Sequence, residues 1–115
     1  MSEPQTEKIK TLEVEVAGIS YRLTADGMRE MQEKLPLICR LEREPHNIND
    51  ENAIKVIVTE GDKFHIGYIT RQTASVFAPA MDKGSFPFAP DTWLTEIDET
   101  TGRGTLLMQR RPKRK

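Results

Sequence analysis

Four Asx residues, Asn47, Asn49, Asp50 and Asn52, fall within six consecutive positions of this chain. Their short side chains can hydrogen-bond nearby backbone, and the same oxygens and amides can be offered to a ligand. A chain reversal needs only one or two such residues, so this density points to binding chemistry stored in the turn. The central Gly and closing bidentate Glu of a calcium loop are absent, which leaves a metal role weakly supported. Other reactive side chains are sparse. Glu42 and Glu44 share a strand face, but two carboxylates without a shaped pocket form a solvated edge more often than an acid–base pair. His46 and His65 lack metal-ligand spacing. Cys39 is the only cysteine, so no intramolecular disulfide or cysteine-rich metal site can form. It sits in the alternating run Leu35, Leu37, Cys39, Leu41, as a small buried hydrophobe would. The glycines are scattered singly, so no loop cradles phosphate. No enzyme signature emerges, and no cofactor or metal is expected.

The elements around the Asx cluster read as strands. Ile54, Val56 and Val58 fall on one face, and Ala53, Lys55 and Ile57 on the other. A strand is expected before the cluster and another over Phe64–Ile69, after the turn Glu60-Gly61-Asp62-Lys63. Upstream, Leu12, Val14 and Val16 alternate with Glu13 and Glu15, and the strand is read as continuing through Tyr21-Arg22, with Gly18 marking a bulge or close approach. Asp26 is read as the cap of a short helix over Gly27–Lys34 that Pro36 ends. Thr70 is the expected N-cap of a helix through Ala74, Phe77 and Met81, kinked or split at Pro79 and closed by Gly84. Ser85–Asp91 is expected to be irregular. Trp93, Thr95 and Ile97, with Leu106 and Met108, predict a closing hairpin around Thr101–Gly104.

With 115 residues, the chain has room for one domain and one core. It divides into a flexible leader over residues 1–11, a domain over 12–109 and a basic tail over 110–115. Several short strands, one main helix and no βαβ rhythm exclude a nucleotide-binding α/β fold. The fold class is mainly β (α+β): a small OB-like or SH3-like, partly open β-barrel with one or two short helices packed on it. No apolar run reaches membrane-span length, and Met1–Thr11 lacks the apolar middle of a secretory signal, so a cytoplasmic protein with no membrane partner is expected. The formal net charge is −1, but the last six residues carry five positive charges, which leaves −6 on the rest. A basic tail on an acidic body adds non-specific phosphate attraction, while the body suits a local feature and not a long track of backbone.

Five blocks in order carry a family resemblance: Val16-Ala17-Gly18-Ile19-Ser20-Tyr21; Arg43-Glu44-Pro45 with Asn47; Asp50–Val56; Ile66-Gly67-Tyr68-Ile69; and Ala78–Gly84. Together they resemble the HIRAN domain, found in fork-remodelling helicase-like ATPases and as a stand-alone protein in bacteria and phages. The resemblance implies an OB-like barrel that captures the 3′ end of single-stranded DNA. By this resemblance, Tyr21 stacks on a terminal base, Asp50 accepts a hydrogen bond from the free 3′-hydroxyl, and Asn47 supports the sugar or base. Arg71 corresponds to a basic family position that contacts phosphate, and Tyr68 lies where the family places a ring or His. Ser20 stands where DNA-binding members often carry a cation, and Arg22 where they often carry a second aromatic; Arg22 can supply the displaced charge. Phe86, Phe88 and Trp93 are the candidates for a further aromatic contact. The implied function is a non-catalytic DNA-binding module that recruits or positions a separately encoded helicase or nuclease.

Each assignment has a purely architectural alternative. Asp50 can fix the turn, Tyr21 can be a core-edge aromatic, and Gly67 can reflect backbone crowding. A second functional class also fits a small barrel: a protein-interaction module that accepts a peptide at the groove or at a sheet edge. Steep salt dependence and sensitivity to the chemistry of the strand end separate the two.

Overall fold

The computed structural model describes residues 11–111. Six antiparallel strands close into a barrel in the order β1-β4-β3-β2-β5-β6: β1 Thr11–Ala17, β2 Leu37–Arg43, β3 Ile54–Val58, β4 Phe64–Ile69, β5 Thr92–Asp98 and β6 Arg103–Gln109. Helix α1 spans Ala25–Gln32 and α2 spans Arg71–Lys83. The OB-like barrel with packed helices is therefore present, and its ring is complete: β1 pairs with β6 from Thr11↔Gln109 to Val16↔Gly104, and with β4 through Val16↔Ile69 and Ala17↔Tyr68. Closure leaves no free sheet edge among these strands, which answers the edge problem of a small all-antiparallel sheet.

Inward alternation fills the barrel with Val14, Val16, Ile54, Val56, Val58, Ile66, Leu94, Leu106 and Met108, all buried. Cys39 joins them, and burial pushes its thiol up to about 12, as befits a small hydrophobe. Helix α2 covers the barrel with Ala74, Phe77 and Ala78, and α1 contributes Met28.

The first strand does not run on to Arg22. Gly18 adopts a left-handed conformation, φ 80°, and the chain turns into a short 3-10 turn over Ile19–Tyr21. The turn drives Ile19 into the core, where it is fully buried between two glycines. A Cβ at Gly67 would lie 2.6 Å from the Ala17 carbonyl oxygen and 3.4 Å from Ile19 Cγ1; one at Gly104 would meet Ile19 Cδ1 at 2.9 Å. Backbone crowding thus accounts for Gly67.

The cap of α1 is Thr24, whose Oγ1 accepts the Gly27 N–H at 3.0 Å; Asp26 lies in the first turn instead, paired with Arg29. Helix α2 runs unsplit through Pro79 from its N-cap Thr70 and ends in a Schellman motif at Gly84, with Gly84 N–H to Met81 O and Ser85 N–H to Ala80 O. Residues 1–10 and 112–115, most of the expected leader and tail, lie outside the described residues. Thr11 already belongs to β1, Arg110 lies opposite Phe88 in an isolated bridge, and Arg111 donates to the Pro87 and Phe88 carbonyls, so the described start of the basic run is docked.

Two bulges matter beyond the fold. Between β3 and β4 the register passes from Val56↔Gly67 to Ile57↔His65, so one extra residue enters β4. The extra residue shifts the phase of the strand, and His65 and Tyr68 reach the same outer face, their rings meeting edge to face at 4.8 Å. Between β5 and β6 a similar shift after Leu94 puts Thr92, Leu94 and Ile97 inside, so the spacing Trp93, Thr95, Ile97 does not mark a single face.

Candidate functional site

The connection between β2 and β3, residues 44–53, is built by its own side chains. Glu44 N–H bonds to the Ala53 carbonyl at 2.9 Å and closes the base of the loop. Asn47 Oδ1 accepts the N–H groups of Asn49 and Asp50 at 2.8 and 3.0 Å. Asp50 Oδ1 accepts the Asn52 N–H at 2.9 Å. These are local Asx turns, made by the side chains of Asn47 and Asp50, with Asn49 and Asn52 taking part through their backbone N–H groups. They do not use Asp50 Oδ2, which faces Arg71 Nε at 3.9 Å.

The loop, the end of β4 and the start of α2 enclose a cleft of about 270 Å³. Asn47, Asn49 and Asp50 line it from the loop, Tyr68 from β4 and Arg71 from α2, with Ala17 at the end of β1. Four of the expected site residues, Asn47, Asp50, Tyr68 and Arg71, therefore meet in one place. Arg71 sits at the first position of α2, where the positive end of the helix dipole disfavours a cation. Its side chain is 72% exposed, against 18% for Asp50, and its Nη2 donates to the Asn49 carbonyl at 3.2 Å. It is a tethered, solvent-reaching cation beside a sheltered carboxylate.

Tyr21 and Arg22 stand outside the cleft. The Tyr21 ring is 92% exposed, beside Gly18 on the turn that leaves β1. It is not a core-edge aromatic. Arg22 Nε donates to the His65 carbonyl at 2.6 Å, which ties it to the His65–Tyr68 pair next to the cleft. Ser20 packs against Gly102, and the Ile19 N–H bonds to the Gly102 carbonyl at 3.0 Å, so that segment is held against the β5–β6 turn. Phe86 and Phe88 pack with Phe77 at centroid separations of 5.1 and 5.8 Å, and Phe88 is buried. Trp93 is half-buried on β5, paired with Ile38 and Leu107. None of these three aromatics lines the cleft.

One residue at the site reads from sequence as part of a solvated edge: Glu44. Its Oε1 accepts from Tyr68 OH at 2.7 Å and from Asn47 Nδ2 at 2.8 Å, and Oε2 lies 3.7 Å from Lys55 Nζ. Hydrogen bonds from Asn47 and Tyr68 hold its carboxyl below the usual range, with help from Lys55. Burial, then the Glu44 carboxylate, pushes the Tyr68 hydroxyl up, while burial and the nearby Arg22 push His65 down. The only sequence signal for Glu44 is its place in the Arg43-Glu44-Pro45 block. Its partners Tyr68 and Lys55 come from other strands, and that meeting depends on barrel register.

Among the described residues, no group of three or more His, Cys, Asp or Glu side chains is arranged to hold a metal ion. No helix among them is long and apolar enough to cross a membrane. The arrangement defines a class: a small closed OB-like barrel with a polar cleft at the mouth of one loop. The chain matches the HIRAN domain over residues 9–99 and belongs to that family, known in general as a DNA-binding domain and generally non-catalytic. Two solved structures share the fold. A protein from Lactobacillus plantarum is 26% identical, with a TM-score of 0.62 over 90% of this chain and 97% of that one. The HIRAN domain of human HLTF is 22% identical, with a TM-score of 0.63 over 87% of this chain and 74% of that one. Among curated proteins none matches the chain.

Proposed function

We propose that this domain captures the 3′ end of single-stranded DNA and thereby places a separately encoded helicase or nuclease at that end. The observation that carries this is the juxtaposition of Asp50 Oδ2, left over from the loop's own hydrogen bonds, with the exposed guanidinium of Arg71. An ionised carboxylate only accepts hydrogen bonds, so Oδ2 suits a terminal hydroxyl. An internal nucleotide would bring a phosphate to the same place, and two anions repel. Arg71 can turn from Asp50 and the Asn49 carbonyl to the next phosphate while the Asx turns inside the loop stay intact. Tyr21 offers an open ring for a base, and base stacking needs no particular sequence.

The test is fluorescence anisotropy at low salt with short labelled strands that end in a 3′-hydroxyl or a 3′-phosphate, or are blocked at the 5′ end. The 3′-hydroxyl strand should bind most tightly, with no effect of the 5′ block. Asp50→Asn keeps an oxygen for the Asn52 N–H but replaces Oδ2 with an amide donor. It should weaken hydroxyl-ended binding by about 10- to 150-fold, the range for a hydrogen bond to a charged group of about 1.5–3 kcal/mol. Equal affinity of the wild type for both 3′ ends would refute end capture. Absence of any strand binding would turn the search to a peptide partner.

A further inference from the structure

We propose that Glu44 is the positioning residue of the cleft: it touches no ligand, and it orients Asp50 by way of Asn47, with Tyr68 as the second donor that holds its carboxylate in place. The proposal rests on end binding at this cleft. Glu44 is the point where four parts of the chain meet. It lies one residue beyond β2, its N–H closes the loop on Ala53, and its carboxylate gathers Asn47 from the loop, Tyr68 from β4 and Lys55 from β3.

A carboxylate can only accept hydrogen bonds, and that constraint sets the orientation of its neighbours. Asn47 must turn Nδ2 towards Glu44, and Oδ1 is then directed at the backbone of the loop. That oxygen already holds two N–H groups, those of Asn49 and Asp50. The Asp50 main chain is thereby pinned, and with Oδ1 on Asn52 N–H the remaining oxygen is left towards Arg71. Asn47 and Tyr68 both line the cleft, yet the Asn47 carbonyl and the Tyr68 hydroxyl proton are engaged by the protein. Asn47 acts through the loop and Tyr68 through Glu44, while Asp50 and Arg71 present the groups for the ligand. Removal of Glu44 takes away the anchor of Asn47 Nδ2, leaves the Asn47 side chain held by the two loop N–H groups alone and leaves Tyr68 without its acceptor, and the reader of the end loses its aim without losing its charge.

The experiment uses the full chain and the same two strands, 3′-hydroxyl and 3′-phosphate, with the ratio of their dissociation constants as the readout and thermal unfolding alongside. In the wild type the ratio favours the hydroxyl. Glu44→Ala should lower that ratio about tenfold while affinity for the phosphate-ended strand changes little. Glu44→Gln, whose amide oxygen can still accept from Asn47 and Tyr68, should restore most of it. A folded Glu44→Ala protein with the wild-type ratio overturns the proposal, as does an equal loss for both strands in the Ala and Gln variants. If Glu44→Ala does not fold, Asn47→Ala and Tyr68→Phe each remove one arm, and an unchanged ratio in both is equally fatal. A wild-type ratio near one removes end capture itself, which is distinct from a high ratio that Glu44→Ala leaves intact.

Discussion

Two hollows on this barrel differ in a way that separates size from function. The larger, about 460 Å³, lies among β1, β5 and β6 and is lined by Glu13, Glu15, Glu96 and Asp98 against the single cation Arg103. The smaller, about 270 Å³, is the loop–α2 cleft. In the larger hollow Arg103 pairs with Glu15, and Asp98 accepts the N–H groups of Thr100 and Thr101 to shape the hairpin turn. The rest of that lining is negative and repels a polyanion. In the smaller cleft Asn47 and Asp50 hold the loop backbone, and one Asp50 carboxylate oxygen stands beside a solvent-reaching guanidinium. Between these two, the sign of the lining and the engagement of each donor favour the smaller for a ligand made of phosphates, although its volume is the lesser.

The comparison breaks first at Tyr21. If DNA leaves the cleft across this exposed ring, Tyr21→Ala should weaken every strand by about 1–3 kcal/mol, or roughly 5- to 150-fold, with the hydroxyl-to-phosphate ratio unchanged. Anisotropy with both strands checks it; a loss confined to one end chemistry would move Tyr21 into the end-reading group. Arg71→Gln is the next step down. It removes one phosphate contact, so the slope of log affinity against log salt should become shallower by about one. An unchanged slope would leave Arg71 as a partner of Asp50 and Asn49 only.

The barrel is legible in the sequence because its signals are local. Alternation sets the inward face of β3, the turn at Gly61 precedes β4, and Thr70 with Gly84 bounds α2. Those signals mislead where one residue changes the phase. Gly18 is a turn and not a bulge within a longer strand, and the extra residue after Leu94 breaks the Trp93–Thr95–Ile97 spacing. At the site, Asn47, Asp50 and Tyr68 fall in short blocks of pattern, and Arg71 follows one of them. Glu44 falls in a block too, but its role is not legible there, because it comes from Tyr68 and Lys55, residues that only strand pairing brings to it. Phe86 and Phe88 show the complementary limit: their packing against Phe77, from an irregular segment, carries no signal in the sequence.

The smallest effect tests the acidic hollow directly. Glu13 and Glu96 are both exposed there and share no cleft with Asp50. Replacing both with Gln removes two negative charges and leaves the loop, Arg71 and Tyr21 as they are. Their repulsion acts through solvent, so it is long-ranged at low salt and screened within about 8 Å at physiological ionic strength. The double variant should therefore bind all strands about twofold more tightly at low salt, through faster association, and match the wild type near physiological salt, about 0.15 M. The ratio between 3′ ends should not move, because hydroxyl recognition is a contact and the hollow acts only as a field. A gain that survives salt, or a shift in end preference, would mean that DNA touches the hollow, and the division between the two regions would have to be redrawn.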